Sequence, residues 1–209
     1  MISIPARDAL ERLRAGNGRF VAGATGLDTW MHHARRHEFV EGQEPFAVIL
    51  GCSDSRVPVE IVFDQGLGDL FVIRVAGNIV APSQIGSVEF AAERFGTRLV
   101  VVLGHTRCGA IQAALEDLGE ATGIRSRNLS SIVARIRPSV AGLLATELRH
   151  DRDALAREAV RANVRVSADY LRHGSEVLER LIRNDGLHVV GAEYSLETGV
   201  VEFFDGVPR

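Results

Sequence analysis

The chain of 209 residues predicts an α/β fold: a mostly parallel five-stranded sheet of order 2-1-3-4-5 with an antiparallel edge strand, flanked by helices, plus an N-terminal helical arm. Three observations carry that expectation. Two apolar runs, Val48-Ile49-Leu50 and residues 99–103, end in Gly51 and Gly104, as strands buried on both faces do. Strand-like segments then alternate with amphipathic ones, which right-handed crossovers assemble into a parallel sheet. Finally, residues 187–194 and 199–204 read as strands joined through Glu197-Thr-Gly, a hairpin that adds the antiparallel edge. Residues 1–209 form one domain, with 1–44 as the arm and 45–209 as the core.

In chain order, Leu10, Leu13, Phe20 and Val21 recur at near-helical spacing over residues 6–23, and Gly16 with Gly18 predicts a break between two short helices. Residues 31–41 read as a helix carrying His32, His33 and His37. Two of these, His33 and His37, stand four apart and could hold a metal or relay protons, but Arg35 and Arg36 flank them, so a solvated face is expected. After the first strand come a short helix over 58–63, a strand over 70–75, and a helix over 83–95 that turns Ile85, Val88, Phe90, Ala91 and Ala92 inward. Gly66 and Gly68 precede a strand and lack a third glycine, which excludes a dinucleotide-binding fingerprint. Following the third strand, a helix begins at Cys108. Residues 126–174 are helical with polar connections and a boundary at Pro138, and 175–182 add another helix.

Chemistry gathers where the first and third strands end. Cys52, Asp54 and Arg56 leave the first strand at alternate positions; His105 and Cys108 follow the third. In open α/β sheets, ligands bind beyond the carboxyl ends of strands where connections diverge, so adjacency of these two strands brings the clusters together. Two thiolates and an imidazole suit Zn2+, and no third cysteine closes the fourth position, which favours a catalytic over a structural site. Cys108 at a helix start is stabilised as thiolate. Asp54 and Arg56 are spaced for a charge-assisted pair that orients a zinc-bound hydroxide. Released from Arg56, Asp54 could swing onto the metal instead.

Bulk properties narrow the partners. The net charge of -3 is mild, with both signs interspersed, which argues against nucleic acid or a polybasic membrane patch. All 24 basic residues are arginine. No apolar run approaches a membrane span and no leader is evident at Met1, so a cytoplasmic location is expected. There both cysteines stay reduced, and a Cys52 to Cys108 disulfide is the lesser alternative.

Four motifs, Cys-Ser-Asp-Ser-Arg at 52–56, Arg-Val-Ala-Gly-Asn at 74–78, Gly-Ser-Val-Glu-Phe at 86–90 and Gly-His-Thr-Arg-Cys-Gly at 104–109, resemble the β-class carbonic anhydrases in order and spacing. The resemblance spans essentially the whole chain. It implies reversible hydration of carbon dioxide to bicarbonate, zinc on Cys52, His105 and Cys108, and Asp54 with Arg56 as the working dyad. It further implies a homodimer or homotetramer with the active site at the subunit interface. By the same resemblance Gln43 is a substrate-side amide donor, Phe71 and Ala76 line a carbon dioxide pocket, and Gly109 accompanies the second thiolate. A regulatory bicarbonate site of Trp, Arg and Tyr is matched by Arg74 and Tyr194, but Ile49 stands at the Trp position, so that site is expected to be absent or weak. Rival readings are a related carbon disulfide or carbonyl sulfide hydrolase and a non-catalytic zinc-binding domain.

Overall fold

Five strands lie side by side in the order β2-β1-β3-β4-β5, in a computed structural model that describes residues 4–25, 40–120 and 126–208. They are β1 (Ala47–Gly51), β2 (Leu70–Arg74), β3 (Leu99–His105), β4 (His188–Tyr194) and β5 (Val201–Asp205). Pairing is parallel from β2 through β4 and antiparallel between β4 and β5, with a register shift at Gly191/Ala192. β1 and β3 are buried along their whole length because helices cover both faces. Their alternate side chains feed two cores. Ile49, Val101 and Leu103 point to one, and Val48, Leu50, Val100 and Val102 to the other.

Among the described residues the α-helices are α1 (Ala6–Val21), α2 (Val59–Val62), α3 (Pro82–Arg94), α4 (Gly109–Glu120), α5 (Arg127–Val140), α6 (Arg152–His173) and α7 (Glu176–Asn184), with 3-10 turns between α5 and α6. Side-chain caps mark three of their starts: Ser126 accepts from the N–H of Leu129, Asp151 from those of Asp153 and Ala154, and Ser175 from that of Leu178. Among the described residues, no helix is long and apolar enough to cross a membrane.

Several sequence expectations need correction. α1 is one continuous helix and does not break at Gly16 or Gly18. Gly16 serves a close approach: a Cβ there would fall 1.8 Å from the Phe63 carbonyl oxygen. Next to it the buried Asn17 donates to the carbonyls of Val62 and Gly199 and accepts from the Val201 N–H, tying the arm to α2 and β5. Phe90 is 54% exposed, on the outer side of α3 beside the rings of Phe71 and Phe95. Pro138 lies inside α5, which continues to Val140. β3 runs two residues past its expected end, because Gly104 and His105 keep pairing with Glu193 and Tyr194. Residues 31–39 of the expected histidine-bearing helix, with His32, His33 and His37, lie outside the described residues.

Candidate metal centre

β1 and β3 are neighbours in parallel register, with Gly51 opposite Leu103, so the segments leaving their carboxyl ends emerge together. Cys52 follows β1 directly, His105 is the last residue of β3, and Arg107, at φ 57°, turns the chain so that Cys108 precedes α4. Their relative exposures are 5%, 0% and 4%. The sulfurs and a ring nitrogen lie within 4.8 Å of one another. The two sulfurs are free thiols 4.0 Å apart, close to the roughly 3.8 Å that tetrahedral zinc with bonds of about 2.3 Å imposes.

His105 Nδ1 lies 2.8 Å from the Thr106 carbonyl, which can only accept, so Nδ1 carries the proton and Nε2 offers a lone pair. That Nε2 is buried with no hydrogen-bond partner, as expected of a metal-directed nitrogen. The adjoining Cys108 thiol, the His105 ring and the N–H of Gly77 lower the Cys52 pKa to about 4, against the opposing effect of burial. Burial disfavours charge on His105, but the neighbouring Cys52 sulfur and its charge leave the ring's pKa shifted upward. Three buried, soft donors of this kind fit zinc, and hard-cation chemistry would need oxygen ligands instead.

Beside them Arg56 grips Asp54 with both arms, Nε to Oδ1 at 2.9 Å and a terminal nitrogen to Oδ2 at 2.7 Å, and its backbone N–H adds a third bond to Oδ1. Arg56 therefore holds the Asp54 carboxyl well below the usual carboxylate range. Oδ2 stands 3.8 Å from His105 Nε2. Arg56 also reaches the Arg107 carbonyl at 3.4 Å, linking the two strand ends. A cavity of about 840 Å³ opens against Cys108 and Gly109 and is also lined by Thr106, Arg107, Gln112 and Arg157.

The other residues singled out in the sequence fall in different places. Ala76 adjoins Gly77, whose N–H lies 3.3 Å from the Cys52 sulfur. Gly109 opens α4, with open space where a Cβ would stand. Phe71 packs with Phe90 and Phe95 near the sheet edge. Gln43 lies ahead of β1, at the amino ends of the strands, in an exposed groove with Arg12, Leu67 and Arg94. Arg74 donates to the carbonyls of Cys52 and Asp54. Ile49 and Tyr194 are buried in one apolar cluster. Sequence reasoning missed two groups, the Gly77 N–H and Asn163, which donates to the Gly77 carbonyl at 2.8 Å. The available signal was an amide on the inward stripe of α6 between Val160 and Val164.

A mostly parallel sheet with two cysteines and a histidine converging beyond its strand ends defines a zinc-type metalloprotein of the α/β class. A family model described as carbonic anhydrase matches residues 47–201. The chain is 38% identical to carbonic anhydrase 2 of Mycobacterium tuberculosis over 193 residues, 91% of this chain and 89% of that protein. The crystal structure of a β-carbonic anhydrase of Aspergillus fumigatus matches with a TM-score of 0.74 at 26% identity, covering 93% of this chain and 90% of that one. A tetrameric β-carbonic anhydrase of Sordaria macrospora shares the fold with a TM-score of 0.74 at 24% identity, over 94% and 97% of the two chains. The chain belongs to the carbonic anhydrase family, in its β class, zinc enzymes whose general reaction is hydration of carbon dioxide.

Proposed function

We propose that this protein reversibly hydrates carbon dioxide to bicarbonate and a proton, with Cys52, His105 and Cys108 holding zinc and the Asp54–Arg56 dyad orienting the attacking water. The observation that carries this reading is the bidentate pair itself, set 3.8 Å from the partnerless His105 Nε2. Zinc bound there supplies a Lewis acid whose charge is reduced by two thiolates, so nucleophilic water forms on the alkaline side of neutrality. Asp54, kept ionised by Arg56, is acceptor-only: it takes a hydrogen bond from the attacking water and turns the oxygen lone pair toward carbon. Gly109, with no side chain, leaves the face beside Cys108 open to substrate. Ala76, next to the Gly77 whose N–H meets the Cys52 sulfur, supplies apolar surface for carbon dioxide, and Phe71, paired with Val48 toward the amino end of β1, does so only for the site of a second copy.

Stopped-flow hydration by Asp54→Ala tests the dyad: turnover falls about 10²–10⁴-fold, the range for a positioned proton-handling group, while zinc content stays stoichiometric. Wild-type turnover in that variant rejects the role.

Gln43 lies at the opposite end of β1 from Cys52, so within one chain it stands a strand length from the metal ligands. Its role as substrate-side donor therefore calls for a second copy, and we infer a homodimer or homotetramer. Co-expressed Gln43→Ala and Asp54→Ala chains distinguish the geometries. If Gln43 serves the partner's site, each hybrid dimer carries one intact site and activity returns; if it serves its own, none does. Because Ile49 is buried and Arg74 is engaged with two carbonyls, a regulatory bicarbonate site is absent or weak. Calorimetry that detects bicarbonate away from zinc, and loses it in Arg74→Ala, rejects that reading.

A further inference from the structure

Asn163 sits in the middle of α6, 1% exposed, among Val160, Val164, Ser167 and Ala168. An amide in such a place costs desolvation unless it is paired. Its Nδ2 donates 2.8 Å to the Gly77 carbonyl, 86 residues away in the chain. Gly77 has φ 69° and its own N–H donates to the Cys52 sulfur at 3.3 Å. A glycine enters positive and negative φ about equally readily, so nothing in the residue itself selects the conformer that aims this N–H at sulfur. Packing leaves no room for a Cβ, which would lie 2.8 Å from Ile136 Cδ1 and 3.0 Å from Ala110 Cβ. The bond from Asn163 fixes the carbonyl on the far side of Gly77 and thereby fixes its dihedrals.

We propose that Asn163 is a positioning residue for the metal centre, holding Gly77 in the left-handed conformation that keeps its N–H on the Cys52 sulfur. This rests on the zinc reading of Cys52, His105 and Cys108. An N–H donor withdraws electron density from a thiolate and fixes its direction. Partners one step beyond the ligands typically change metal affinity about 10–100-fold.

The full-length chain is prepared as wild type, Asn163→Leu and Asn163→Asp; the second variant keeps the size and shape of the side chain. Zinc affinity is read by competition with a chelator, and the cobalt(II)-loaded proteins by their sulfur-to-cobalt charge-transfer band. Both variants are expected to bind zinc about 10–100-fold more weakly, with the band at longer wavelength because the sulfur has lost its donor. Unchanged affinity and band in a folded variant overturn the proposal, even if its melting temperature drops, because that pattern marks a packing role. If neither variant folds, wild type loaded with cadmium-113 decides: scalar coupling between the metal and the Gly77 amide proton supports the proposal, and its absence overturns it. Failure of wild type to bind zinc at all defeats the metal-site reading and this inference with it, whereas tight wild-type binding with unaffected variants defeats this inference alone.

Discussion

β1 and β3 end alike in the sequence, each an apolar run followed by glycine and then by metal-competent side chains, yet the structure holds the two ends by different means. Beyond β1 the chain leaves the sheet at Cys52 and is pinned from outside: Arg74 donates to the carbonyls of Cys52 and Asp54, and Gly77 donates to the Cys52 sulfur. Beyond β3 the chain is pinned by its own continuation. Pairing with β4 extends through His105, Glu197 receives Thr106 and Arg107, and α4 starts immediately after Cys108. The glycines differ accordingly. A Cβ on Gly51 would meet only Val59 Cγ1 at 3.6 Å, but one on Gly104 would fall 2.6 Å from Val164 Cγ2 and 3.0 Å from Val160 Cγ1. Two ends with one sequence pattern therefore divide the labour: one carries Cys52 and the Asp54–Arg56 ion pair, the other carries His105, Cys108 and the helix start.

The largest effect follows from removing a ligand from the β3 end. His105→Ala and Cys108→Ala are each expected to lose stoichiometric zinc and with it carbon dioxide turnover, checked by metal analysis beside stopped-flow rates. Zinc retained at wild-type level in either variant would break the comparison at its root.

At the β1 end, Arg56→Ala leaves zinc in place and lowers turnover by roughly 10–100-fold, as expected for a group that orients another. Arg56→Lys recovers only part of this, because an ammonium cannot reproduce the two-armed grip. The pH dependence has a definite sign. The folded pKa of Asp54 is depressed by Arg56, so the stability it contributes is present above its unfolded value of about 3.9 and lost as pH falls through the folded value. The dyad is thus fully formed from pH 5 upward, and the rise of activity on the alkaline side should keep its midpoint in Arg56→Ala while losing height. A midpoint displaced by more than about one unit would assign the titration to the dyad.

The glycines give a smaller contrast. Gly104→Ala overpacks against α6 and costs about 1–3 kcal/mol, which lowers the melting temperature by about 2–4 °C per kcal/mol at this chain length. Gly51→Ala changes it by no more than about 1 °C, since its Cβ makes ordinary contact. Equal shifts would erase the distinction. Smallest of all, Glu197→Ala removes exposed contacts to Thr106 and Arg107 and is expected to leave the melting temperature nearly unchanged, with zinc affinity unchanged in a chelator titration.

The strands and the ligand types of the Cys-His-Cys cluster were legible in the sequence because both are written locally, and the strand order followed from requiring the two clusters to be neighbours. A buried strand has to be apolar on both faces, and ligands that follow two such strands meet if the strands are adjacent. Phe90 was misplaced because helical periodicity alone does not say where the core ends and an aromatic rim begins. Gly16 looked like a break because its purpose, contact with the Phe63 carbonyl, involves a residue 47 positions further along the chain.

By itself the amino-acid order determined which side chains can bind a soft divalent ion, that Asp54 and Arg56 can pair, and which segments become strands. All of these follow from residue chemistry and near-neighbour spacing. Only the tertiary structure decided that Arg74 braces the loop after β1, that Gln43 stands at the far end of the sheet from the metal ligands, and that an amide on α6 reaches the peptide contacting Cys52. Those relations join residues far apart in sequence, and only packing sets the distances between them.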